Sequence, residues 1–173
     1  MTITRRVLLG AALALPFAAR GQQKCTDLTP DDMEGPFYKA GAPLRNSLYD
    51  PKSKAEKLVL SGVVRQTDCK TLANIPLDFW HADAQGEYDN AGFSYRALVR
   101  TDAQGRYRLE TNLPPPYMGR PRHIHVKLHP PGGKVLTTQL YFPGESRGAD
   151  RALVVKMEKA REGRLAAYDF VLL

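Results

Sequence analysis

Two histidines, His123 and His125, are separated by one residue in the alternating run 120–128. In a β-strand, residues i and i+2 point to the same face, so this spacing would place two imidazoles side by side. Neutral imidazole is a ligand of iron, zinc, copper and nickel. The pair therefore predicts a metal site, although a bare His-x-His also fits one hydrogen-bonded and one solvent-exposed histidine.

Two sets of further ligands fit the residue types. His81 and Asp83 form a second i, i+2 pair, which would give a His-rich site or a site of two histidines and a carboxylate. Tyr117 precedes His123 on a loop stiffened by prolines and would instead offer a phenolate. A phenolate is a good oxygen ligand only beside a strong Lewis acid, and ferric iron is the natural match. The residues alone leave both alternatives open.

The elements that must position these side chains follow a period of two from Lys57 onward. Short apolar runs separated by Gly, Pro and Asp turns predict an all-β fold, a β-sandwich of about seven to eight strands. Residues 22–54 are rich in turn signals but carry many apolar side chains, which indicates an extended N-terminal arm wrapped on the domain. The predicted strands are 58–64, 75–82, 93–100, 107–110, 122–129, 135–142 and 166–173, with a short helix or irregular turn at 152–161.

The hexapeptide Asp-Ala-Gln-Gly-x-Tyr occurs twice, at 83–88 and at 102–107. In each copy Asp would open a turn, Gly would take the positive φ, and Tyr would begin the next segment. Because both copies predict the same turn, the motif by itself does not separate the role of Tyr88 from that of Tyr107.

The first 21 residues have the features of an export signal. Arg5 and Arg6 precede an uncharged apolar run, 7–19, that is too short to span a bilayer as a stable helix. The pattern around Arg5 and Arg6 is typical of a twin-arginine signal. We expect cleavage before Gln22, a single mature domain of residues 22–173, and a periplasmic or secreted protein without stable membrane association.

Composition excludes one class of partner. Removing the three arginines of the signal segment lowers the formal net charge from +7 to +4. No run of Lys and Arg with interleaved aromatic residues remains, so nucleic-acid binding is not expected. The two cysteines, Cys25 and Cys69, predict one disulfide in an oxidising compartment.

An ordered set of motifs makes the mature chain resemble the intradiol ring-cleavage dioxygenases, the group of catechol 1,2-dioxygenase and protocatechuate 3,4-dioxygenase. The short chain, the signal segment and the two cysteines are most similar to secreted single-domain members. The Arg-Pro-x-His-Ile-His core is the most specific element. The motifs are Glu34–Tyr38, Leu60–Val64, Phe79–Tyr88, Arg100–Tyr107, Pro115–Tyr117, Arg120–His125 and Leu136–Phe142.

The resemblance implies a ferric ligand set of Tyr88, Tyr117, His123 and His125, with Tyr117 and His125 axial. It also implies that Arg120 and Gln139 lie over the substrate, where a cation and an amide would stabilise developing negative charge. The implied reaction is cleavage of a catechol-type ring between its two hydroxyl-bearing carbons, with O2, to a muconate-type diacid. Tyr117 would leave the metal and accept a substrate proton.

Two departures from the family pattern are visible. Only five residues separate Tyr117 from His123, fewer than in the classical enzymes, so the site is expected to be more open. The helical dimerisation domain of catechol 1,2-dioxygenases has no counterpart in the sequence. The alternatives to an enzyme are a secreted, non-catalytic, transthyretin-like binding module, and a zinc or copper site built from His81, Asp83, His123 and His125.

Overall fold

The computed structural model describes residues 25–144 and 148–173. The predicted signal peptide, residues 1–21, lies outside the described residues. Within them the chain forms nine strands and one short 3-10 helix, Arg151–Leu153. The strands are β1 (Lys57–Gln66), β2 (Pro76–Trp80), β3 (Arg96–Arg100), β4 (Arg106–Asn112), β5 (His123–Leu128), β6 (Leu136–Tyr141), β7 (Lys156–Lys159), β8 (Arg164–Ala167) and β9 (Phe170–Leu172).

The strands form two sheets, and the predicted all-β sandwich is confirmed. One sheet has the order β3-β2-β5-β6 and is antiparallel throughout. The other has the order β4-β1-β8-β7, and β9 pairs with the far end of β1. Alternate residues of both sheets face a shared apolar core, which leaves the opposite face of each sheet for other contacts. The core includes Leu58, Leu60, Leu77, Phe79, Leu109, Ile124, Val126, Leu140 and Phe170.

The expected N-terminal arm is present and crosses the outer face of the four-stranded sheet. Backbone hydrogen bonds tie it down at both sides, because Asp32 N donates to Thr137 O at 3.0 Å and Leu48 N donates to Glu110 O at 2.7 Å. The arm therefore forms a cover over the sheet. In chain order its contacts are Asp32 with β6, Tyr38 with Trp80 of β2, Arg45 with Leu98 of β3 and Leu48 with β4.

The C-terminal quarter departs from the sequence prediction. The expected helix or irregular turn at 152–161 is a single 3-10 turn followed by strand β7, which pairs antiparallel with β8. The expected final strand 166–173 is instead divided between two strands, β8 and β9, with a break at residues 168–169, and both strands pair parallel to β1. The break between them is held by Asp169, whose carboxylate accepts a hydrogen bond from Val63 N at 2.8 Å. The pairings of β8 and β9 with β1 are long-range, so the local pattern of residues carries no signal for them, whereas β7 and β8 form a hairpin across residues 160–163.

Cys25 and Cys69 are joined as a disulfide, the pairing predicted from the sequence. Their Cα atoms are 5.2 Å apart, and the bond closes a loop with a sequence separation of 44. The disulfide fixes the start of the arm to the turn that follows β1. In the described part of the chain, no helix has the length and apolar character needed to cross a membrane.

Candidate metal centre

The four residues that the resemblance names as ligands lie together on the outer face of the four-stranded sheet. Tyr88 Oη is 3.1 Å from His125 Nε2 and 3.3 Å from His123 Nε2. The two imidazole rings are 4.9 Å apart, as expected for i and i+2 on one strand. The ring of Tyr117 meets the ring of Tyr88 edge to face at 5.4 Å. The site thus collects two imidazole nitrogens and two phenol groups.

The protonation of the histidines suits a ligand role. His123 Nδ1 donates a hydrogen bond to Pro121 O at 2.7 Å, which leaves the lone pair on Nε2. Burial lowers the pKa of His123, and burial followed by the neighbouring His123 lowers the pKa of His125 to about 2. Both rings are therefore neutral near pH 7. His125 Nδ1 is buried and has no hydrogen-bond partner among the described residues.

A tight turn places Tyr117 next to Arg120. Tyr117 N donates to Arg120 O at 3.2 Å, and Arg120 N donates to Tyr117 O at 2.8 Å. The two central residues, Met118 and Gly119, both have positive φ, 43° and 77°, as in the turns that close two-residue hairpins. This turn accounts for the short spacing between Tyr117 and His123. The side chains of Tyr117 and Arg120 therefore extend from neighbouring backbone positions.

The two copies of the hexapeptide form the same turn, as predicted. Asp83 Oδ1 accepts from Gln85 N and Glu87 N, and Asp102 Oδ1 accepts from Gln104 N and Arg106 N, all at 2.8–2.9 Å. The tyrosines that follow diverge in surroundings. Tyr107 is buried in the core between the sheets and donates to Tyr168 O at 2.8 Å, whereas Tyr88 lies against the histidine pair.

Phe37 of the arm fixes the ring of Tyr88. The two rings are stacked with centroids 4.4 Å apart and an interplanar angle of 11°. Phe37 also meets Tyr117 edge to face at 5.8 Å. Burial, the largest cause, raises the pKa of Tyr88 to about 12. The protein by itself therefore keeps this phenol protonated, and a phenolate here needs the charge of a metal ion.

Arg120 and Gln139 are in direct contact beside the ligand cluster. Arg120 donates from one terminal nitrogen, Nη2, to Gln139 Oε1 at 2.8 Å and to Tyr141 Oη at 3.2 Å. Gln139 Nε2 donates to Met33 O of the arm at 2.7 Å. The amide of Gln139 is thus engaged with Arg120 at one end and with the arm at the other.

The competing ligand set is not assembled. His81 is buried, its Nδ1 donates to Ala82 O and its Nε2 accepts from Thr111 Oγ1, both at 2.7 Å. Neither nitrogen is left for a metal. The Asp83 carboxylate is engaged with its own turn. Within residues 25–144 and 148–173, no three His, Cys, Asp or Glu side chains form a group that could hold a metal ion.

Several residues that complete the site were not predicted to have a role there. Trp80 stacks on His125, with centroids 4.8 Å apart and an interplanar angle of 6°. Tyr141 and Asp32 are hydrogen-bonded to one another at 2.8 Å. The alternation of β6 was a usable signal, because Tyr141 is two residues from Gln139 and so shares its face. The position of Asp32 had no such signal, since the arm has no regular period.

Comparison with known proteins identifies the class. A family model described as Dioxygenase matches residues 33–172, which is most of the chain. The dioxygenase domain of a dioxygenase–carbohydrate-binding protein fusion from Streptomyces sp. SirexAA-E has a similar structure, with a TM-score of 0.81 and 47% identity. That alignment covers 84% of this chain and 98% of the other.

The more specific assignment follows from curated relatives. Chlorocatechol 1,2-dioxygenase of Cupriavidus pinatubonensis is 33% identical over 140 residues, covering 65% of this chain and 54% of that protein. Catechol 1,2-dioxygenase 2 of Acinetobacter lwoffii is 34% identical over 143 residues, covering 68% and 52%. The chain belongs to the intradiol ring-cleavage dioxygenase family. It spans about half the length of these two relatives. The family assignment favours an enzyme over a non-catalytic binding module.

Proposed function

We propose that this protein is a non-haem Fe(III)-dependent intradiol dioxygenase that cleaves a catechol-type ring with O2 to a muconate-type diacid. The observation that carries the proposal is the convergence of Tyr88 with the Nε2 atoms of His123 and His125, next to Tyr117. The relatives include a catechol 1,2-dioxygenase and a chlorocatechol 1,2-dioxygenase, which supports this substrate class.

The donor set fits ferric iron. Tyr88, Tyr117, His123 and His125 would hold the ion, and the hydrogen bond from His123 Nδ1 to Pro121 O directs the Nε2 lone pair toward the cluster. Phenolate oxygen is a hard donor that suits a hard, highly charged cation, while imidazole suits iron as well as softer metals. Iron bound there would supply Lewis-acid activation of the catechol and a template for its two oxygens.

Tyr117 is the residue best placed to act as a base. It lies on the turn 117–120, outside the strand that holds the histidines, so its movement need not disturb β5. Its phenolate oxygen would accept a proton from a catechol hydroxyl, so Tyr117 would act as a general base. Tyr88 is the less mobile phenol, because Phe37 stacks on its ring.

Arg120 supplies positive charge beside the ligand cluster. Its guanidinium would stabilise the negative charge that develops on the oxygenated ring, in a site that the arm partly shields from water. Gln139 accepts one of its hydrogen bonds and is itself tied to the arm, so it would orient the guanidinium. The stacked rings of Phe37 and Trp80 would limit the movement of Tyr88 and His125.

The test begins with the purified protein. Iron content, visible colour and oxygen uptake would be measured with a panel of catechol, chlorinated catechols and carboxylated catechols. We expect one iron per chain, a charge-transfer band from ferric phenolate, and ring-cleaved diacid that takes both oxygen atoms from 18O2. A colourless protein, or an iron-loaded protein that consumes no oxygen with any catechol, would refute the proposal.

We also propose that the protein is exported by the twin-arginine route, from the Arg5-Arg6 pattern and the disulfide that the structure contains. That route carries folded protein, so iron could be loaded before transport. Changing both arginines to lysine should trap the precursor inside the cell, as seen by fractionation and immunoblotting. Undiminished export of this variant would exclude the route without affecting the enzymatic proposal.

A further inference from the structure

Asp32 belongs to the arm but is held against the strand that carries Gln139. Its backbone N donates to Thr137 O of β6 at 3.0 Å. Its side chain accepts a hydrogen bond from Tyr141 Oη through Oδ2 at 2.8 Å. Asp32 is therefore held through both its backbone and its carboxylate, at the edge of the candidate metal centre.

Tyr141 connects this carboxylate to the guanidinium of Arg120. Its hydroxyl oxygen lies 3.2 Å from Arg120 Nη2 and 3.3 Å from Gln139 Oε1. Both Tyr141 and Gln139 are buried. In register, Tyr141 is the partner of His123, and Gln139 is the partner of His125. The network thus lies on the same sheet face as the two histidines.

The direction of one hydrogen decides how this network is arranged. A phenol has a single hydrogen to donate, and it can point to Asp32 or to Gln139 Oε1. When Asp32 takes it, the oxygens of Tyr141 and Gln139 are both free to accept from Arg120 Nη2. Without the carboxylate, the Tyr141 hydroxyl would donate to Gln139 Oε1 instead, and Arg120 would share that acceptor with Tyr141.

We propose that Asp32 is a positioning residue for Arg120. Because Asp32 accepts the hydrogen bond from the Tyr141 hydroxyl, the oxygens of Tyr141 and Gln139 can both accept from Arg120 and hold its guanidinium beside the substrate. The inference rests on the proposed function for its catalytic consequence. Its structural part, the dependence of Arg120 on Asp32, can be measured without metal or substrate.

The chain provides a matched control in the adjacent residue. Asp31 is an exposed carboxylate one position away on the same arm. Asp32→Ala should lower kcat about tenfold, the lower end of the effect of removing groups that orient a metal site, with iron content and melting temperature near wild type. Asp32→Asn keeps an acceptor oxygen and should restore most of the activity. Asp31→Ala should match wild type.

A double-variant comparison isolates the route through Tyr141. Tyr141→Phe should reproduce the loss of kcat seen in Asp32→Ala. Adding Asp32→Ala to Tyr141→Phe should cause little further loss, because the hydroxyl that Asp32 orients is already absent. Fully multiplied losses in the double variant would overturn the proposed coupling, as would an Asp32→Ala enzyme with wild-type kcat.

An activity-free measurement separates this inference from the proposed function. Side-chain NMR of arginine-labelled, metal-free protein would follow the Arg120 guanidinium, assigned by its loss in Arg120→Lys. We expect slow rotation of the guanidinium in wild type and Asp31→Ala, and fast rotation in Asp32→Ala. An unchanged signal in Asp32→Ala overturns the inference. Failure of the wild-type protein to cleave any catechol would instead overturn the proposed function, and the arginine measurement would still decide the role of Asp32.

Discussion

The hydroxyl oxygen of Tyr88 lies 3.1 Å from Nε2 of His125, although the two residues are 37 positions apart in the chain. The contact depends on parts of the chain other than the segments that carry the two residues. The turn at 83–86 carries Tyr88 toward the outer sheet face, and the stacked ring of Phe37 holds it over β5. The hydroxyl of Tyr88 thus lies within hydrogen-bond distance of both histidines.

Replacing the two tyrosines that follow the repeated turn should have different effects, one on metal binding and the other on stability. Tyr88→Phe removes the phenol beside the histidine pair, so the charge-transfer band should shift or disappear and iron content should fall. Tyr107→Phe leaves the carbonyl of Tyr168 without its buried partner and should cost about 1–3 kcal/mol of stability, with colour unchanged. Absorbance spectra and denaturant unfolding would measure both. The reverse result would move the site to Tyr107.

Tyr117→Phe should separate metal binding from turnover. The ring contacts with Phe37 and Tyr88 remain, and three ligand candidates remain, so iron should bind, though more weakly. A catechol analogue should still bind, because the substitution removes the oxygen that a bound catechol would otherwise have to displace. Turnover should fall strongly, since the phenolate that accepts a substrate proton is gone. Wild-type turnover would place the base elsewhere. Iron binding without catechol binding would show that Tyr117 positions the substrate.

Removing the disulfide should destabilise the protein while leaving the centre assembled. By loop closure, the Cys25–Cys69 bond with its separation of 44 should contribute on the order of 3–4 kcal/mol. For a domain of this size, that corresponds to a fall in melting temperature of roughly 10 °C in Cys25→Ser/Cys69→Ser. Colour at low temperature should persist, because Thr29 and Asp32 also tie the arm to the body. Calorimetry with and without reductant is the measurement. Free thiols at both positions in exported protein would contradict the bond.

The metal-free protein should lose stability in mild acid because of His81. Burial, the main cause, lowers the pKa of His81 from 6.5 to about 4. Between these two values the unfolded state binds a proton that the folded state does not, so unfolding becomes easier as the pH falls. The contribution of His81 to the free energy of unfolding should be complete above pH 6.5. It should be smaller by about 3 kcal/mol near pH 4. Denaturant unfolding from pH 7 to pH 4 would measure it.

The matched variant for this pH dependence is His81→Gln. Burial also lowers the pKa of His123 and of His125, so these two residues act in the same direction. The informative quantity is therefore the difference in slope between wild type and His81→Gln. A variant with an unchanged slope would show that His81 does not carry the acid sensitivity.

Local sequence patterns were sufficient to predict a strand or a turn whose conformation depends on neighbouring residues. The alternation around His123 and His125 predicted a strand with both rings on one face, and β5 has that form. The repeated hexapeptide predicted the same turn twice, because an Asp carboxylate and a Gly with positive φ determine it. The arm was predicted from apolar side chains without a period, but its path over the sheet was not.

Long-range pairing was beyond the sequence. The residue types left His81 and Asp83 open as ligands, and only packing engages both ring nitrogens of His81 with Ala82 and Thr111. Strand β7 was missed for a different reason: it forms a local hairpin with β8, but the run 152–161 was interpreted as a short helix or an irregular turn. The role of Tyr141 follows from its register with His123, which no single segment contains.

The sequence by itself determined which groups are available near one another: two imidazoles on one strand face, a phenol on a proline-bounded turn, and a cation three residues beyond it. These are properties of neighbouring residues, fixed by the pleat of a strand and the geometry of a turn. Only the tertiary structure decided which tyrosine faces the histidines and which carboxylate orients Arg120. Those contacts join the arm, two turns and two strands, so they exist only after the sandwich has packed and the arm has crossed its outer face.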